Sequence, residues 1–188
     1  VLGNVMQLIV AIFLTEIGSK KIKKTAQTCI FFPYFISWVV VGAIVYNFFS
    51  FDYGFVNNIL ESLSMNPINV YSEPKYWPFI IIFLDIWKGL GYGSVVYMAT
   101  IAGIDTSVYE AAEIDGANIM QRIWHITIPA LRSTMITLVL LALGRVFRGN
   151  MTMFYSLVGN NGLLYNYTDV IDTFTFRTLL FSNDIGMS

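Results

Sequence analysis

Charge is what this chain has least of. Asp, Glu, Lys and Arg together make up 12% of its 188 residues, where a soluble domain carries about a quarter. With 56% hydrophobic residues and a mean hydropathy of +0.63, its apolar surface exceeds what one core of this length hides, so the chain needs lipid around it. The net charge of −1 offers no concentration of Lys and Arg to neutralise a phosphate backbone, which excludes nucleic acid as a partner. Cysteine is nearly absent: Cys29 stands alone, ruling out an intrachain disulfide or a thiolate metal site. His125 is likewise the sole histidine; beside Trp124 it reads as an interfacial residue, and no metal site is expected. No Walker pattern ending in Lys-Ser or Lys-Thr occurs, so any nucleotide belongs to another polypeptide. Gly89, Gly91 and Gly93 alternate inside an apolar run and read as close helix packing or a kink rather than a phosphate loop. No nucleophile and base stand in motif spacing, so no catalytic residue is assigned.

What the chain does have is long apolar runs. A bilayer core about 30 Å thick takes roughly 20 apolar helical residues, and that measure outlines spans at about 1–18, 29–49, 77–103 and 131–149. The expected fold class is an all-α membrane protein, a polytopic transmembrane helix bundle forming one domain over 1–188. The first span is short and begins in mid-run, and no closing span follows residue 183, so a fragment lacking its first and last spans is expected. Lys20, Lys21, Lys23 and Lys24 crowd the first loop, and Arg122 and Arg132 mark the loop 104–130; short loops rich in Lys and Arg stay cytoplasmic. The loops 50–76 and 150–188 then lie outside, the former with a short helix around Val56–Leu63. Its flanking Phe48, Phe49, Phe51, Tyr53, Phe55, Tyr76 and Trp77 suit an interfacial aromatic belt. Val170–Phe181 reads as a short amphipathic segment on the outer surface.

The loop 104–130 carries the most local information. Ser107 with Glu110 three residues on predicts a capping box and a helix start. Ala111 and Ala112 favour helix and permit close approach by another surface, and Gly116 offers a break. Beyond it Ile119, Met120, Ile123 and Trp124 share one face of a second short helix, while Asn118, Gln121 and Arg122 face water. Pro129 suits the first turn of the next helix, where a missing N–H costs little.

The sequence Glu110-Ala111-Ala112, three residues, Gly116, nine residues, Ile126, one residue, Ile128-Pro129 resembles the EAA loop of permeases in binding-protein-dependent ABC importers. Ile128 stands where most members have Leu. The run Gln27–Val41, with Phe32-Pro33-Tyr34 and Ile36-Ser37-Trp38, is similar to the branch that takes up oligosaccharides or polysaccharide fragments. The resemblance implies a type I importer permease fold in the bacterial plasma membrane and a sugar or oligosaccharide as cargo. It implies as partners two ATPase subunits that carry ATP and Mg, a second homologous permease of different sequence, and an extracytoplasmic sugar-binding protein. This chain would itself hold no cofactor and perform no catalysis. ATPase coupling would fall to Glu110, Ala111, Ala112, Glu113, Asp115, Gly116, Ile126 and Pro129. An ion-gradient-driven secondary transporter or channel is the competing class, and it leaves the EAA spacing unexplained.

Asp85, Lys88 and Arg145 are charges set deep within the outlined spans. Asp85 and Lys88 lie roughly 12 and 17 Å along the span from Trp77, and Arg145 about 21 Å along the next from Leu131. Either they line a substrate pathway, or they are interhelical ion pairs that fix packing, with Asp85 and Lys88 at i,i+3 spacing. Both readings stay open at this level.

Overall fold

The computed structural model describes residues 2–146 and 149–182, with the side chains of 145, 146, 181 and 182 outside that description. Among the described residues every regular element is helical. The principal helices are α1 (Leu2–Glu16), α2 (Lys20–Phe35), α3 (Trp38–Phe49), α4 (Phe55–Ser62) and α5 (Trp77–Ala102). Then come α6 (Thr106–Ile114), α7 (Ile119–Arg122), α8 (Ile128–Ala130), α9 (Arg132–Val146), α10 (Met151–Val158), α11 (Tyr165–Thr168) and α12 (Ile171–Arg177).

The stretch outlined as a single span at 29–49 differs from that expectation, because two helices share it. α2 begins nine residues earlier, at Lys20, and ends at Phe35. Ser37 then leaves the helical region (φ −66°, ψ 152°) and accepts the Val40 N–H on its side chain at 3.3 Å, capping α3. Pro33, in the last turn of α2, cannot donate to the carbonyl four residues back, which weakens the helix just before the break.

Among the described residues one helix, Pro74–Ala102 with 29 residues, is by itself long and apolar enough to cross a bilayer. Two bent pairs, Lys20–Phe35 with Trp38–Phe49 and Ile119–Ala130 with Arg132–Gly144, reach that measure only as broken spans, and Leu2–Glu16 is a shorter apolar helix. Phe13 (71% exposed), Phe35 (71%) and Phe79 (76%) lie on the outside of these helices, an exterior that suits lipid rather than water.

The chain divides into two compact units: Val1–Phe35 with Leu84–Gly144, and Ile36–Phe83 with Arg145–Ser188. In the first, Ala11, Leu14, Tyr97, Met98 and Leu131 form the buried core, with Ile17, Ala26, Ile30, Ile101 and Met135 packed around it. The glycines of α5 let backbones meet there. A Cβ on Gly91 would stand 2.5 Å from Phe31 Cα and 2.6 Å from the Ile30 carbonyl, and one on Gly93 would collide with the Gln7 side chain. Gln7 Nε2 donates to the Gly89 carbonyl at 3.0 Å, and the Thr100 and Thr134 hydroxyls pair at 3.1 Å between α5 and α9. Small residues and hydrogen bonds of this kind hold helices together where no hydrophobic force separates them from lipid.

In the second unit α3 packs against α10, and a Cβ on Gly42 would strike the Ser156 carbonyl. The segment between α4 and α5 is folded around buried Asn57. Its Nδ2 donates to the Ile68 carbonyl at 3.0 Å, and its Oδ1 accepts the Ile68 N–H at 2.8 Å. Trp77 Nε1 donates to the Val70 carbonyl at 3.0 Å, so connecting chain that the sequence leaves as plain loop has each of these buried polar groups satisfied.

Candidate functional site

The loop between α5 and α9 is a helix, a turn and a second helix, as its residues predict. The cap differs. Asp105, not Ser107, closes the N-terminus of α6: its carboxylate accepts the Ser107 N–H at 2.9 Å. Hydrogen bonds from Ser107, first from its backbone and then from its side chain, hold the Asp105 carboxyl below the usual range. An acid at this position also meets the positive end of the helix dipole, which a serine does not exploit. Glu110, Ala111 and Glu113 are exposed on α6 and Ala112 is half-buried. Asp115 ends the helix, and Gly116 turns the chain at φ 79°, a left-handed conformation that glycine adopts without a Cβ clash.

The second helix is nucleated by a device the sequence reading missed. Asn118 accepts the Gln121 N–H at 2.9 Å, and the Gln121 side chain accepts the Asn118 N–H at 2.8 Å. Asn-x-x-Gln has the spacing of a capping box, so the signal was present in residues assigned simply to water. The chain then widens over Ile123–Thr127, where the Ile128 N–H reaches the Ile123 carbonyl five residues back, ahead of Pro129, which has no N–H to continue the ladder. Ile126 lies half-buried in this wide turn, and Pro129 is exposed on α8.

Two contacts brace the loop. Arg122 pairs with Glu113 at 3.3 Å across the turn, and the Tyr109 hydroxyl meets the Thr127 hydroxyl at 2.9 Å. Its outer surface stays uncovered: Ile114 is 87% exposed, and Ile119, Met120 and Trp124 are exposed as well. Beside them an open hollow of about 550 Å³ is lined by Glu113, Ala117, Asn118, Ile119, Met120 and Arg122. A second, of about 380 Å³, includes Ala112, Asp115, Gly116, Gln121 and His125. Apolar side chains bordered by acids and small residues thus form one exposed patch on the loop. Among the described residues no group of His, Cys, Asp and Glu is arranged to hold a metal ion.

Asp85 and Lys88 sit elsewhere in the first unit. Lys88 on α5 donates from Nζ to the carbonyls of Pro33 at 3.2 Å and Tyr34 at 3.0 Å. Those carbonyls belong to the last turn of α2, where helix geometry supplies no partner, and an ammonium there also complements the dipole. Asp85 lies one turn earlier on α5 and is exposed. Tyr34 stacks on Tyr92 with ring centres 5.3 Å apart, one further turn along α5. The side chain of Arg145 lies outside the described residues.

Residues 7–180 match the family described as binding-protein-dependent transport system inner membrane component. The chain belongs to this family. It is 36% identical over 169 residues to Protein LplB of Bacillus subtilis (strain 168), covering 90% of this chain and 52% of that protein. It is 29% identical, with the same coverage, to the polygalacturonan/rhamnogalacturonan transport system permease protein YteP of the same organism. Among solved structures, a chain of a bacterial alginate ABC transporter in complex with an alginate pentasaccharide-bound periplasmic protein superposes with a TM-score of 0.88 at 32% identity, over 96% of this chain and 62% of that one. The all-α fold is therefore that of ABC transporter permeases, and the chain spans about half the length of the curated relatives it matches (52%).

Proposed function

We propose that the chain is the larger part of a permease subunit of an ATP-driven importer that moves a sugar or oligosaccharide across the bacterial plasma membrane. The loop 104–130 is its coupling element. α6 seats in a groove of an ATPase subunit that carries the ATP and Mg, and closure of the ATPase pair is passed through the loop to α5 and α9. An extracytoplasmic binding protein delivers the cargo, and a second, homologous permease completes the pathway. The observation that carries this reading is the loop itself: a capped, internally braced helix pair whose apolar outer face has no cover among the described residues. Family membership and relatives named for polysaccharide transport support the substrate class. Lys88, engaged with main-chain carbonyls, serves helix packing in this scheme rather than cargo contact.

The test is an Ala111→Cys variant in the assembled transporter. A thiol crosslink there is expected to capture an ATPase subunit and to stop ATP-driven uptake of a labelled oligosaccharide, with reduction restoring it. Uptake that collapses with the ion gradient while ATP is maintained, or a crosslinker that never captures an ATPase, would return the chain to the secondary-transporter class.

A further inference from the structure

Lys20, Lys21, Lys23 and Lys24 occupy the opening turns of α2, where Lys20, Lys21 and Lys24 are exposed and Lys23 is half-buried. Glu73, Glu113 and Asp169 pair with Lys75, Arg122 and Arg177, and none of these pairs reaches the four lysines. Taken alone the arrangement is unfavourable. Lysines three and four positions apart on a helix repel, the N-terminal end already carries the positive pole of the peptide dipoles, and the first turn holds no acid. A negative surface outside the chain relieves all of these strains at once.

Two further observations identify the surface. Ile22, between the lysines, is 61% exposed; Cys29 and Phe32, seven and ten residues on and so within about a quarter turn of it, are exposed too. Along its length the outside of α2 is thus cationic and then apolar, the profile of a helix passing from headgroups into acyl chains. Ile17, Ala26 and Ile101 also pack on the same core as Leu131, which sets the lysine end of α2 at the end of this unit from which the loop 104–130 departs.

We infer that Lys20, Lys21, Lys23 and Lys24 form a docking surface for anionic phospholipid headgroups, holding this end of the unit against an acidic leaflet beside the loop. Ammonium groups on flexible four-carbon stems follow mobile phosphates without needing fixed geometry, and the attraction weakens with salt. The inference stands apart from the transport reading, since it holds whether or not an ATPase grips α6.

The experiment uses the full-length permease in its transporter, in nanodiscs of phosphatidylcholine with a minor share of phosphatidylglycerol in both leaflets. A fluorophore is placed by Gly18→Cys in a Cys29→Ser background, because a Cβ at Gly18 meets nothing within 4 Å. Spin-labelled phosphatidylglycerol should quench it several-fold more than spin-labelled phosphatidylcholine. The preference should fall to parity with raised salt and in a variant with all four lysines changed to Gln, and survive their change to Arg. Equal quenching by the two lipids, a preference that persists in the Gln variant, or carboxyl-amine crosslinks placing the lysines on an acidic face of an ATPase would overturn it. Should the Gln variant fail to assemble, the salt titration and the Arg variant decide.

Discussion

Gly116 in the loop and Gly91 in α5 are the same residue for opposite reasons. At Gly116 there is room and no permitted backbone: a Cβ would meet nothing within 4 Å, yet φ is +79°. At Gly91 there is no room at all, with Phe31 Cα 2.5 Å from where a Cβ would sit. The contrast separates two kinds of surface on one unit. The seam along α5 is already closed by α2, whereas the turn at Gly116 shapes a face left exposed among the described residues.

Substitutions break that contrast in graded steps. Gly91→Ala should have the largest effect, because the facing atoms are main chain and cannot swing aside; overpacking of this kind costs about 3 kcal/mol, read as loss of monodisperse permease in detergent. Lys88→Met should come next. It strips the α2 carbonyls of a charged donor, worth about 2 kcal/mol, and lowers the melting temperature of the purified permease, with Lys88→Arg recovering part of the loss. Gly116→Val forces a β-branched residue into the left-handed region at a cost of about 1–2 kcal/mol; it should assemble poorly with the ATPase or uncouple hydrolysis from uptake, while Gly116→Asn is tolerated. At Gly91, by contrast, Asn should be as harmful as any larger residue.

The smallest effect is expected in the second unit. Asp169 makes a two-pronged pair with Arg177, at 2.7 and 3.3 Å, and accepts from the Thr173 hydroxyl at 2.7 Å. Burial pushes its carboxyl upward, but the hydrogen bonds from Arg177 and Thr173 and the Arg177 charge outweigh it and hold the carboxyl below its ordinary value of 3.8. A depressed folded-state value means the pair contributes fully above pH 3.8 and loses that contribution as pH falls through the folded value. Asp169→Asn should therefore lower the melting temperature slightly at neutral pH and flatten its dependence on pH only below about 4.

Much of this was legible in the residues, and the remainder was not for identifiable reasons. The helix, turn and helix of the loop follow from local punctuation, since alanines, Gly116 and Pro129 each act within a few positions of themselves. The break between α2 and α3 is masked because one serine among apolar residues scarcely alters a window that measures hydropathy, although Pro33 and Ser37 together mark it. Asp105 was passed over for Ser107 because the Glu110 spacing favoured a capping box there. The main-chain acceptors of Lys88 had no sequence signature: carbonyls at Pro33 and Tyr34 become acceptors only once α2 is known to stop at Phe35. Family spacing pointed to the loop, but the Arg122–Glu113 and Tyr109–Thr127 braces depend on a fold in three dimensions.

Helix α5 runs 26 residues without interruption, which makes it about 39 Å long at 1.5 Å per residue. The loop begins within four residues of its last turn. A rod of that length multiplies angle into distance, so a tilt of about 5° imposed at Ala102 carries Trp77 sideways by roughly 3 Å. A small rotation at one end of α5 thereby becomes, at the other, a shift of about the width of a water molecule.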